Sequence, residues 1–301
     1  MTSPREILNH LETMGIQATG VADDSRQVLP GDIFLAYPGD LADGRRFIGD
    51  ALERGAIAVL WQPGENFDFG QNFPLTVANL PVESLRPLAG PLAHAVYGYP
   101  SEGLSLIAIT GTNGKTTISQ CIASAYPKPC AIIGTLGAGF PDALVETGFT
   151  TPEATTLMRY LAGFRAAKAA ACALEASSIG IEEGRMNGAR VDVAVFTNFT
   201  RDHLDYHGTM ESYAEAKRKL FLWPRLRTAI INLDDEFGSQ LLRDTTAMRV
   251  LGYCIGEQRR DFPALIRAEN LVDTPFGQRF SLVLPNGRAT VDTALVGRYN
   301  I

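Results

Sequence analysis

The run Gly111-Thr-Asn-Gly-Lys-Thr-Thr117 brings together residue types that can hold a phosphorylated ligand. Gly111 and Gly114 lack a Cβ, so successive backbone N–H groups can approach an anion closely. Lys115 can reach the terminal phosphates of a nucleotide, and the Thr116 hydroxyl can ligate Mg²⁺. The general phosphate-loop pattern places its first glycine five residues before the second. That position is Ile109 here, so the loop is a shortened form.

Other groups could join this chemistry. Glu175, within Leu174-Glu-Ala-Ser-Ser178, offers a carboxylate to a phosphate-bound metal, although a glutamate at a strand end is commonly a solvated rim charge. His203 and His207 are four residues apart with Asp205 between them, a spacing that raises zinc. No glutamate-containing metalloprotease pattern surrounds them, and the phosphate loop implies a magnesium nucleotide instead; His207 can equally cap a loop. Lys217 shares a helical face with Tyr213, Leu220 and Phe221, so it points to the apolar side. Such a lysine either snorkels past its neighbours or, if its pKa is depressed, reacts with carbon dioxide to give a carbamate.

The elements needed to position these groups are legible around them. Leu104–Ile109 is a short, β-branched apolar run that suits a strand buried on both faces of a parallel sheet, and a helix follows the loop. Its N-terminus adds partial positive charge at the phosphate site. The pattern predicts strands at 32–36, 56–61 and 75–78, then at 104–110, 131–135, 171–175, 191–197, 229–232 and 249–254. Helices are predicted at 47–54, 82–96, 116–125, 153–170, 210–222 and 237–243. Ser3-Pro4-Arg5-Glu6 reads as a helix cap, followed by apolar residues at helical spacing. The turn-rich Tyr97–Gly103 stretch is the linker candidate. The predicted fold is α/β: a small N-terminal α/β domain over residues 1–98, then a doubly wound, mostly parallel sheet over 99–301. Beyond about Ala264 shorter segments suggest an antiparallel extension.

The 301 residues, 46% hydrophobic and 20% charged, suit a soluble globular protein of two cores. A net charge of −6 argues against a general nucleic-acid or membrane-surface binder. Cys121, Cys130, Cys172 and Cys254 are far apart and lie in or beside apolar segments, which predicts reduced, buried thiols and a cytoplasmic protein.

In order along the chain, Asp24-Ser-Arg26, Pro30-Gly-Asp-Ile-Phe34, Gly111–Thr117, Thr150-Thr-Pro-Glu153, Glu175–Ser178, Arg201–Gly208 and Tyr213-Ala-Glu-Ala-Lys217 with Leu220-Phe221 are similar to the motifs of the Mur ligase family. These are ATP-dependent amide-bond-forming enzymes of peptidoglycan synthesis. The likeness covers essentially the whole chain. It is greatest to the ligase that adds the third amino acid, diaminopimelate or lysine, to UDP-N-acetylmuramoyl-L-alanyl-D-glutamate. The resemblance implies that Gly111, Thr112, Asn113, Gly114, Lys115, Thr116 and Thr117 hold ATP. It implies one Mg²⁺ on Thr116 and Glu175, and a second on His203 and a carbamate carried by Lys217. Lys115, Lys217 and His203 would be the catalytic groups. Ser25 would contact the uridine diphosphate end, and Thr150, Thr151, Ser177, Glu183 and Arg185 the muramoyl dipeptide. Glu183 stands where relatives commonly carry Gln. The resemblance further implies a monomer that takes this nucleotide-sugar and an amino acid as substrates, with no nucleic-acid or membrane partner. The family's third, C-terminal domain has no counterpart in these 301 residues, so complete ligation by them alone is not expected. The alternatives are a non-catalytic nucleotide and UDP-muramoyl-peptide binding module, and a related ligase such as a folylpolyglutamate synthetase.

Overall fold

The computed structural model describes residues 3–40, 42–64, 67–74, 76–256, 265–298 and 301. The first helix, Pro4–Thr13, starts as expected. Ser3 Oγ accepts from the Glu6 N–H while the Glu6 carboxylate accepts from the Ser3 N–H, each at 3.3 Å. Ile7 and Leu11, one turn apart, carry its buried face. Four short strands, β1 (Gly20–Ala22), β2 (Asp32–Ala36), β3 (Ala58–Trp61) and β4 (Asn79–Pro81), then form a parallel sheet in that order.

The second sheet contains β5 (Ser105–Thr110), β6 (Cys130–Gly134), β7 (Gly137–Phe140), β8 (Ala143–Val145), β9 (Ala171–Glu175), β10 (Val193–Phe196), β11 (Thr228–Asn232), β12 (Arg249–Ile255), β13 (Leu265–Thr274), β14 (Gly277–Leu284) and β15 (Gly287–Thr293). Their order among the described residues is β15-β14-β13-β12-β11-β10-β5-β9-β6-β7-β8. The run from β6 to β13 is parallel, and an antiparallel segment closes each end. This is the mixed α/β architecture with a mostly parallel central sheet that the sequence predicts. Helix Lys115–Ala125 packs on one face against Ile107, Ile109, Ile132 and Val195, while helices Ala154–Ala166, Met210–Phe221 and Glu236–Asp244 bury residues in the core on the other. The chain leaves β5 toward β6 and leaves β10 toward β11, on opposite sides. The adjacent carboxyl ends of β5 and β10 therefore form a switch point, where parallel sheets open a crevice.

Several local expectations shift. The strand expected at 75–78 forms at Asn79–Pro81 instead, and Leu75 lies outside the described residues. The helix expected to reach Ala170 ends at Ala166, because Lys168 adopts a left-handed φ of +64° that turns the chain into β9. The helix expected from Val82 begins at Leu85, after Ser84 at φ +52°. Three strands had no sequence signal: β1, β7 and β8. Gly137 and Gly139 in β7 take φ of +124° and +151°, and a Cβ on either would meet the carbonyl oxygens of Val145 and Ala143 at 2.4 and 2.3 Å. That close pairing needs glycine, and it replaces the β-branched alternation by which strands are usually read. Cys121 is exposed rather than buried, whereas Cys130, Cys172 and Cys254 are buried free thiols. Among the described residues no helix is long and apolar enough to cross a membrane.

Helix Leu85–Val96 packs against helix Ala154–Ala166, and one apolar cluster includes Leu35 and Leu60 under the small sheet and Leu106, Leu174 and Phe196 under the large one.

Candidate active site at the carboxyl ends of the central strands

The loop after β5 is held open by its two glycines. Gly111 has φ +151°, and a Cβ there would lie 1.9 Å from Thr197 Oγ1; Gly114 has φ +85° and precedes the first turn of helix Lys115–Ala125. Contacts with the segment after β10 fix the loop from outside. The Thr112 N–H donates to the Asn198 carbonyl at 2.8 Å, the Asn113 N–H to Asn198 Oδ1 at 2.9 Å, and Thr197 Oγ1 to the Asn113 carbonyl at 2.6 Å. Lys115 curls back so that Nζ donates to the carbonyls of Gly111 and Thr112 at 2.8 and 2.9 Å. Burial lowers its pKa, against the opposing pull of Glu175 and Asp202.

Glu175 is 1% exposed at the end of β9 and is satisfied entirely from the cleft side. Its Oε2 accepts from Thr116 Oγ1 at 2.9 Å and Thr135 Oγ1 at 3.0 Å, and its Oε1 from the Thr135 N–H at 3.2 Å. Thr135 was not singled out from the sequence. Its position at the end of a parallel strand was the available signal. Gly134 makes room for this carboxylate, since a Cβ there would sit 2.1 Å from Glu175 Oε1.

Lys217 projects from helix Met210–Phe221 to the underside of the loop. It is 1% exposed, donates to the Gly111 carbonyl at 3.0 Å and lies 4.4 Å from the Tyr213 ring centroid. Burial, reinforced by Lys115, pushes its pKa down to about 7. Tyr213 is another residue whose role the sequence left unmarked. Its hydroxyl meets Thr112 Oγ1 at 3.2 Å, and its ring packs beside those of Phe199, His203 and His207. His203 sits on the cleft wall at φ +50°, with Nε2 3.5 Å from Asp202 Oδ2. His207 instead turns to Ser178, Nε2 to Oγ at 2.9 Å, and burial lowers its pKa.

The cleft continues away from the loop past Thr150, Thr151, Ser177 and Arg185, enclosing about 560 Å³ in all. Thr151 is 1% exposed; its hydroxyl donates to the Glu175 carbonyl at 2.7 Å, lies 3.0 Å from Ser177 Oγ and accepts from the Ser177 N–H. Arg185 donates to the Thr151 carbonyl at 3.0 Å and lies 5.1 Å from the Phe149 ring centroid. Its Nε is 2.8 Å from Glu183 Oε2 and 3.3 Å from Glu153 Oε1. Burial raises the Glu153 pKa, with Asp23 and Glu183 adding to the rise and Arg185 opposing it. The cleft thus brings together Thr112, Asn113, Gly114, Lys115, Thr116, Glu175, His203, Lys217, Thr150, Thr151, Ser177 and Arg185. Gly111 lies beneath it, Glu183 behind Arg185, and Thr117 and Ser25 off its wall. Ser25 is buried in a turn of the small-sheet part, Ser25–Gln27, capped by Asp24.

A hydroxyl and a carboxylate 2.9 Å apart beside a phosphate loop are hard oxygen donors suited to Mg²⁺, which takes few protein ligands and fills its shell with phosphate and water. Among the described residues no three His, Cys, Asp or Glu side chains cluster as a metal cage. A metal here would thus depend on ligand phosphates.

A phosphate loop at the switch point of a parallel sheet, with a buried carboxylate facing its threonine, is the architecture of a nucleotide-binding domain. The model of the Mur ligase middle domain matches residues 109–301, and that described as Mur ligase family, catalytic domain, matches residues 17–97; the chain belongs to the Mur ligase family. It is similar to the UDP-N-acetylmuramoyl-L-alanyl-D-glutamate–2,6-diaminopimelate ligase of Chromobacterium violaceum, with 45% identity over 295 residues, 96% of this chain and 58% of that protein. A ligase of the same name from a Janthinobacterium species is 43% identical, over 93% of this chain and 57% of its own. A solved structure of a ligase of that name superposes with a TM-score of 0.78 at 34% identity, covering 94% of this chain and 57% of the other. The chain spans a little over half the length of these relatives.

Proposed function

We propose that this chain supplies the nucleotide and nucleotide-sugar sites of an ATP-dependent ligase that joins an amino acid, diaminopimelate or lysine, to UDP-N-acetylmuramoyl-L-alanyl-D-glutamate in cytoplasmic peptidoglycan synthesis. The observation that carries this reading is the continuous cleft from Lys115 and the Thr116–Glu175 pair to Thr151, Ser177 and Arg185. Residues 1–98 form the UDP-sugar domain in this reading, and 99–301 the ATP domain.

A carboxylate is a poor acyl donor. Transfer of the ATP γ-phosphoryl group to it releases ADP and leaves an acyl phosphate. The amine of the incoming amino acid then attacks, loses a proton and expels phosphate. No side-chain nucleophile is required, so positioning and charge neutralisation supply the rate. Lys115 and the loop N–H groups hold the phosphates, and Arg185 orients the carboxylate-bearing end. Mg²⁺ on Thr116 and Glu175 would neutralise charge on the transferring group. Lys217, largely buried and with a pKa near 7, has a neutral amine fraction able to take up carbon dioxide. The resulting carbamate would give His203 an anionic companion for a second Mg²⁺.

Calorimetric titration of the 301-residue chain tests the reading as binding, because the relatives extend well beyond the aligned part. Binding of both magnesium ADP and UDP-N-acetylmuramoyl-L-alanyl-D-glutamate is expected. Binding of a folylglutamate in place of the UDP-sugar would favour the folylpolyglutamate synthetase alternative.

A further inference from the structure

Helix Ala154–Ala166 grips the turn that carries Ser25 on both sides. Thr155 Oγ1 donates to Asp23 Oδ1 at 2.7 Å, just before the turn, and Thr156 Oγ1 donates to Gln27 Oε1 at 2.9 Å, at its end. One helical step on, Arg159 spends its guanidinium entirely on the small-sheet part of the chain. Its Nη1 donates to the Gln27 carbonyl at 2.9 Å, Nη2 to Asp32 Oδ2 at 2.7 Å and the Val21 carbonyl at 3.2 Å, and Nε to the Tyr97 hydroxyl at 3.0 Å. The receptor for this guanidinium is built for it. A Cβ on Gly20 would lie 2.2 Å from Asp32 Oδ1 and 2.7 Å from the Tyr97 hydroxyl, so only glycine leaves space for both acceptors. Asp23 is also held by the Tyr37 hydroxyl at 2.8 Å.

The segment leading into the same helix carries Thr150 and Thr151, and Thr151 is bonded to the Glu175 carbonyl at 2.7 Å. Five residues, 151–155, thus connect the metal-side carboxylate strand to Asp23. We propose that Thr155, Thr156 and Arg159 are positioning residues that hold the Ser25 turn at a fixed spacing from Thr150 and Thr151, for one long ligand with a nucleoside diphosphate at one end and a carboxylate at the other. This rests on the ligand reading above. A ligand with two anchored ends behaves as a bivalent one. Its affinity carries a linkage factor that is largest when the two sites are held at its own span, and that falls when their spacing wanders. Loosening the grip lowers this factor without altering either end site.

Titration of Thr155→Val/Thr156→Val and, separately, Arg159→Lys tests this, with UDP, magnesium ADP and UDP-N-acetylmuramoyl-L-alanyl-D-glutamate as ligands. Unchanged affinity for UDP and ADP with about tenfold or greater weakening for the full ligand is expected. The magnesium ADP titration also shows that each variant is folded. Full-ligand affinity equal to the parent's overturns the proposal, as does a UDP affinity that falls as far as the full ligand's, which makes the contacts merely structural to the turn. A parent chain that binds UDP and ADP but not the full ligand overturns the underlying reading, and this inference with it.

Discussion

Lys115 and Lys217 donate to the same acceptor, the carbonyl oxygen of Gly111, at 2.8 and 3.0 Å. Burial of the Lys217 amine, with the Lys115 charge beside it adding to the effect, lowers its pKa to about 7. The phosphate loop therefore holds two lysine amines on one carbonyl, and Lys217 is only partly protonated near neutral pH.

This pairing makes stability depend on pH. Between about 7 and 10.5 the folded chain binds fewer protons at Lys217 than the unfolded chain, so stability rises with pH across that window. Below it the full cost of a buried ammonium is present, on the order of 5 kcal/mol. Lys217→Met removes that cost. Its thermal midpoint relative to the parent is expected to be most favourable near the acid side of the window and to lose that advantage toward the alkaline side. A difference that stays constant with pH contradicts this.

Gly134→Ala is expected to push the Glu175 carboxylate off Thr116 and Thr135, since the new Cβ would lie 2.1 Å from Oε1. Overpacking of this kind costs about 1–3 kcal/mol, read by thermal or urea unfolding. If Glu175 holds Mg²⁺ as proposed, magnesium ADP affinity should fall by about tenfold or more when it is displaced.

Glu175→Gln retains the shape and removes the charge. Chelation of magnesium should weaken ADP binding to the parent by about tenfold or more and barely affect this variant, because in the proposed reading Glu175 is the carboxylate that recruits the metal. Equal magnesium dependence in both proteins would place the metal elsewhere.

Glu183 engages the Arg185 guanidinium, which in the proposed reading meets the anionic end of the ligand. Glu183→Gln removes the competing charge; its amide oxygen can still accept from Arg185, while its NH2 faces the Tyr206 hydroxyl, which can turn to accept. Affinity for UDP-N-acetylmuramoyl-L-alanyl-D-glutamate should rise about three- to tenfold, with ADP affinity unchanged. Weaker binding in the variant would show that Glu183 orients Arg185 rather than competing for it.

The sequence revealed the central strands β5, β6 and β9–β12 well because each is a largely apolar run suited to a parallel sheet. β9 forms at Ala171–Glu175, as expected, and β5 starts one residue after its expected start. The loop and the inward-facing Lys217 were legible as polar residues set in an apolar pattern; Glu175, at a strand end where a glutamate is commonly a solvated rim charge, is instead 1% exposed. Contacts made by ordinary surface-type residues were not legible. Arg159, Thr155 and Thr156 sit in a helix at unremarkable spacing, and their partners lie 62 or more residues earlier in the chain, most of them more than 120. The glycine hairpin of β7 and β8 was hidden because its pairing depends on missing side chains. The overlong helix expected at 153–170 followed from an alanine-rich run whose propensity tertiary structure overrides at Lys168.

β5 lies between β9 and β10, strands that follow it by some 60 to 90 residues, and the loop at its end rests on Asn198. A chain emerging from the ribosome would therefore carry its Gly-Lys-Thr segment exposed and unshaped until about residue 200 had cleared the exit tunnel. In the proposed reading a nucleotide meets a finished loop only once β9 and β10 have paired with β5.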